Sequence, residues 1–170
     1  VRDTEYPIEV FNEIRSTFTH LSRYKLNDSE SDLLSAERHV KRATLDCFKY
    51  MCISFAEEVN KFREAYKKVD LKIADNGKFL PRLDKLENEA RNVYIDAKKK
   101  EIKGLVSEDE LYEKFEDAYN KYHAVSDFLE ESNEAILFAS SHSKQSNVIN
   151  IVSIVVSIGS IIFGIIGFIS

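Results

Sequence analysis

Apolar residues recur along most of this chain at spacings of three and four, the period of an α-helix, and strand-like alternation is missing. After Pro7, which suits a helix start, Phe11, Ile14, Phe18 and Leu21 form the first such stripe. The polar run from Asn27 to Ser31 interrupts it. Ser29 or Ser31 can then cap a second helix marked by Val40, Cys47, Met51, Phe55, Phe62, Tyr66, Val69 and Ile73. That stripe predicts a helix of roughly 40 residues or more, about 60 Å long. Asp75, Asn76 and Gly77 punctuate the chain, and a third helix is expected from about Pro81 through Leu83, Leu86, Ala90, Val93, Tyr94 and Ala97. Lys98, Lys99, Lys100 and Lys103 complement the negative end of its dipole, and Gly104 can adopt the left-handed cap. Ser107 and Glu110 form a capping box, with Val106 and Leu111 as its hydrophobic staple, so a fourth helix starts there.

From Leu111 the same spacing continues through Phe115, Ala118, Tyr122, Val125, Leu129, Ser132, Ile136, Ala139 and Ser143. It then runs on through Ser146, Asn150, Ser153, Ser157, Ser160, Gly164 and Gly167. All charged residues lie at or before Lys144. The uncharged stretch from Asn147 to Ile169 would be about 34 Å long as a helix, enough to cross a hydrocarbon core of roughly 30 Å. Short connections favour antiparallel neighbours. The expected fold class is therefore all-α: an up-and-down helical bundle over 1–143, followed by one C-terminal transmembrane helix over 144–170.

The seam inverts where the membrane begins. Upstream it is apolar, as water demands, whereas from Ser146 onward the same register holds Ser, Asn and Gly while Ile, Val and Phe fill the remaining positions. Lipid offers Asn150 and the serines no partner, so they should face other protein or water. Two arrangements meet that need: tight packing of small-residue faces, or a ring of helices around a water-filled lumen. In the second, six or more subunits are expected, because the stripe offers more polar surface than one pair of helices needs. No acidic or basic ring is present to select an ion.

Charge and chemistry narrow the picture further. A net charge of -5 argues against a broad nucleic-acid surface. The chain opens with no basic segment and apolar run of the secretory kind, and Lys144 stands beside the apolar stretch, so a cytoplasmic N-terminal domain is expected. Cys47 and Cys52 fit no zinc spacing and are expected as reduced, buried thiols. His20, His39, His123 and His142 are scattered, and no phosphate loop, His-Glu-x-x-His or nucleophile elbow occurs. No metal or cofactor is expected. The acidic groups Glu57-Glu58, Glu108 to Glu110 and Glu130-Glu131 are expected on solvated helix faces or in a first turn.

One constellation carries possible catalysis. Arg15-Ser16-Thr17-Phe18-Thr19-His20 has the Arg-x-x-x-x-His form and resembles the signature of HEPN ribonucleases, in which two such motifs meet across a dimer. In a regular helix Arg15 and His20 would point about 140° apart. A helical bundle, this divergent motif and a single span together resemble the small membrane accessory proteins of type VI-B CRISPR systems. That resemblance implies a homo-oligomeric pore in the bacterial inner membrane, linked to an RNA-guided, RNA-cutting effector and depolarising the cell during antiphage defence. Two alternatives remain open: a membrane-tethered HEPN-type ribonuclease using Arg15 and His20, with RNA as its ligand, and a tail-anchored adaptor without a pore.

Overall fold

The computed structural model describes residues 7–142. These form α1 (Ile8–Asn27), α2 (Glu30–Tyr66), α3 (Phe79–Lys103), α4 (Glu108–Glu131) and α5 (Asn133–His142), with a short 3-10 segment, Leu71–Gly77, between α2 and α3. The described residues contain no strand, in keeping with an all-helical class. Among the described residues no helix is long and apolar enough to cross a membrane. The expected span over 144–170, with Ser146, Asn150, Ser153, Ser157, Ser160, Gly164 and Gly167, lies outside them.

Most helix ends follow from local chemistry. Gly104 closes α3 in the left-handed region at φ 60°, its N–H donating to the carbonyls of Glu101 and Lys100. The hydroxyl of Ser107 accepts from the N–H of Glu110 at 3.2 Å and opens α4. Pro81 sits in the first turn of α3, where its missing N–H breaks no helical bond.

Two helices end earlier than their stripes suggest. The second stops at Tyr66 rather than running past Ile73. The Asp70 carboxylate accepts from the N–H of Lys72 and restarts the chain as a 3-10 segment that buries Leu71 and Ala74 and leaves Ile73 exposed. Asp75 and Asn76, both at positive φ, then reverse direction, as short side chains able to visit that region do. The fourth helix stops at Ser132, although the seam keeps its register across the break, with Val125, Ile136 and Ala139 all buried. Beyond the break α5 rests against the 3-10 segment.

Helices α2, α3 and α4 make an up-down-up bundle. Lys49 pairs with Glu101, and Arg63 with Asp84 and Glu87, which sets α2 and α3 antiparallel. Tyr94 meets Phe115 and Phe79 stacks on Phe128, which sets α3 and α4 antiparallel. The core between them holds Phe79, Leu83, Ala90, Phe115, Ala118 and Val125 with no exposed surface. Ala90 and Ala118 let the helices approach closely while the aromatic residues fill the remaining space.

The first helix stands apart from this core, antiparallel to the N-terminal part of α2. Glu13 lies level with His39, and His20 with Asp32. Arg42 and Lys41 meet Glu108 and Asp109, marking where α4 begins alongside α2. The first three turns of α2, with the facing part of α1, therefore project beyond the bundle as a two-helix hairpin. Its apolar stripe does not bury itself: Phe18 is 65% exposed, and Ile14 and Leu21 are each 38% exposed. The line of α1 that faces α2 is instead Val10, Glu13, Thr17, His20 and Tyr24, one residue earlier at every step. Ala36 and Ala43 oppose it and are buried, since small side chains let polar partners on both helices meet.

The two cysteines are free thiols, Cys52 buried and Cys47 half-buried. Burial pushes the Cys52 thiol up to about 12. Because the thiolate is the reactive form, a thiol reagent at pH 8 is expected to modify Cys47 well before Cys52 in the native chain, and both together in denaturant. Equal native rates, read by intact mass against time, would contradict this packing.

A histidine and carboxylate seam as candidate functional site

The hairpin interior is polar. His20 Nδ1 lies 2.8 Å from Asp32 Oδ1, and His39 Nδ1 lies 2.5 Å from Glu13 Oε2. The two imidazoles stack at 5.2 Å between ring centroids, 20° from parallel. Each of these four side chains is about one-fifth to one-quarter exposed. An ionised carboxylate only accepts, so each Nδ1 donates. Thr17, buried beside them, satisfies its hydroxyl by donating to the carbonyl of Glu13 at 2.9 Å.

This arrangement fixes the register of α1 on α2. A slip of one turn would strand two carboxylates and two imidazoles in a partly desolvated groove, where unpaired polar groups are costly. It does not assemble a nucleophile with a base. Among the described residues, no group of three or more His, Cys, Asp or Glu is placed to hold a metal ion.

Of the two residues in the Arg-x-x-x-x-His motif, His20 belongs to this seam and Arg15 does not. The helix is regular through both, so their side chains leave it about 140° apart. Arg15 is exposed on the side of α1 turned away from α2, and it forms no ion pair with any described residue. Within one copy the pair shares no cleft. The stripe from Ser146 to Gly167 lies outside the described residues.

The acidic groups divide. Glu108 and Asp109 clamp α4 to α2 through Arg42 and Lys41, whereas Glu58 is buried rather than surface-facing. His39 was not visible as a partner of Glu13 from spacing alone. The signal that could have found it is the seven-residue repeat of small residues, Ala36 and Ala43 against Thr17, which marks a close helix contact around it.

No family model, curated protein or solved structure matches this chain. Its function therefore rests on the residues themselves.

Proposed function

We propose that this chain is a homo-oligomeric membrane pore of six or more copies, anchored by residues 144–170 in the bacterial inner membrane with its helical bundle on the cytoplasmic side. One observation carries the reading. Between Asn147 and Ile169 there is no charge, and Asn150, Ser153, Ser157, Ser160, Gly164 and Gly167 recur at helical spacing among Ile, Val and Phe. The apolar positions suit lipid, while the stripe needs water or another copy. A ring of such helices satisfies both, with Asn150 at the wider mouth and glycines at the narrow end. Lacking a charged ring, the lumen would pass small ions with little discrimination.

The likeness to accessory proteins of type VI-B CRISPR systems gives this pore a setting, in which an RNA-guided effector that has met phage transcripts calls for depolarisation. Catalysis has no part in this reading, since Arg15 and His20 leave α1 on different sides. The test is ion flux. Full-length chain reconstituted into potassium-loaded liposomes is expected to release potassium, rising more steeply than linearly with protein content. Tight vesicles carrying correctly inserted protein would overturn the pore and favour a tail-anchored adaptor.

A further inference from the structure

The apolar face of the α1 and α2 hairpin has no partner in the fold. Stepping one residue past the contact line turns Ile14, Phe18 and Leu21 of α1 by about 100°. The same step turns Leu33 and Val40 of α2. Because the two helices run antiparallel, both turns lead to the same side of the hairpin. All five residues are exposed, from 38% for Ile14 and Leu21 to 65% for Phe18. Together they offer roughly 400 Å² of contiguous apolar surface, the size of patch that marks an interaction site on a soluble domain. The opposite side carries Asn12, Ser16, Thr19 and Arg23 of α1 with Ser31, Ser35 and Arg38 of α2, as a solvated face should.

Charge identifies the occupant. On the outer edge of α1, Arg15 stands without an ion pair among the described residues, and on the outer edge of α2 the exposed Glu37 has only the exposed Lys41, one turn along its own helix at 3.3 Å, as an ion-pair partner. The two are level along the hairpin, since Glu13 is level with His39 and each lies two residues away in opposite directions. Two copies laid face to face about a two-fold axis parallel to the helices place α1 of each over α2 of the other. Arg15 of each then meets Glu37 of the other at the same height, twice per pair. That axis also leaves the α5 ends of both copies at the same end of the pair. A two-fold axis across the helices would set Arg15 against Arg15.

We propose that this face pairs two copies of the chain, through Ile14, Phe18, Leu21, Leu33 and Val40 at the centre and Arg15 with Glu37 at both edges. The pairing rests on the self-association assumed for the pore and specifies one of its contacts. About 800 Å² from the apolar residues, with the edges added, approaches the ~1,000 Å² of a stable interface. An assembly built from such pairs holds an even number of chains.

Carbodiimide coupling of full-length Arg15→Lys protein in detergent tests the contact. It joins an amine to a carboxylate with loss of water, and the two edges of one hairpin are too far apart to be joined within a copy. Mixed isotopically labelled and unlabelled protein is expected to yield cross-linked peptides joining position 15 of one copy to Glu37 of another, and Glu37→Gln should remove them. In a second measurement, Arg15→Glu and Glu37→Arg should each weaken pair formation at least tenfold, and the double variant should restore it to within about threefold. Circular dichroism should be unchanged throughout, because both side chains are exposed. Absence of the mixed cross-link, or no recovery in the double variant, would overturn the pairing. Potassium flux separates the two ideas. Leaky protein without the cross-link keeps the pore and loses this contact, whereas cross-linked protein in tight vesicles keeps the contact and loses the pore.

Discussion

Replacing Ser153 and Ser157 together with Leu is expected to reduce potassium release from liposomes to the level of protein-free vesicles. Both positions fall on the stripe that the pore reading places toward water. Each change removes a hydroxyl and adds a branched apolar side chain, so two successive turns of the lumen would become narrow and apolar, a constriction that gates by dewetting. Membrane insertion should not suffer, because Leu is more favourable than Ser at the centre of a span. Ile154→Leu, on the side assigned to lipid, is the matched control and should leave release unchanged. Equal flux from well-inserted double variant and wild type would remove the stripe from the conduction path.

Phe115→Ala should destabilise the bundle by about 3–5 kcal/mol, a large part of the roughly 5–15 kcal/mol that holds a domain of this size folded. Phe115 is fully buried between all three long helices. Tyr94 of α3 meets its edge at 5.8 Å between centroids, and the ammonium of Lys49 from α2 lies 5.3 Å from its centroid. Truncation opens a cavity that rigid neighbouring helices cannot close, and it leaves the half-buried Lys49 without its aromatic surface. Denaturant titration of the full chain in detergent, followed by helical signal, measures the loss. Ile102→Ala, at a position 79% exposed, should change the midpoint by less than about 0.5 kcal/mol. Similar losses for both would mean that Phe115 is not at the centre of the core.

The contrast between these positions shows which parts of the fold could be read in advance. In α3 and α4, period, caps and burial agree: Leu83, Ala90, Phe115 and Ala118 keep one register, and Gly104 and Ser107 punctuate the turn between the helices. Local chemistry sufficed there, because every level of the sequence favours the same answer. At the end of α2 it misled, since Val69 and Ile73 continue a helical period that the Asp70 cap and the reversal at Asp75 and Asn76 cut short. In α1 hydrophobicity marked the wrong line. Periodicity identifies an apolar face but not what covers it, and here the tertiary contact uses Thr17, Ala36, Ala43 and two histidine–carboxylate pairs. His20 was legible as half of a spaced motif. Its partners Asp32 and His39 were not, because they come from another helix and nothing local announces which turns will meet.

The mass of the detergent-solubilised particle, with bound detergent accounted for, decides whether enough copies assemble to enclose a lumen. Two or three closely packed spans leave no lumen, so a conducting assembly must be larger. A single species of six or more chains is expected, in an even number set by the pairing of hairpins. A particle of only two chains would contradict the pore.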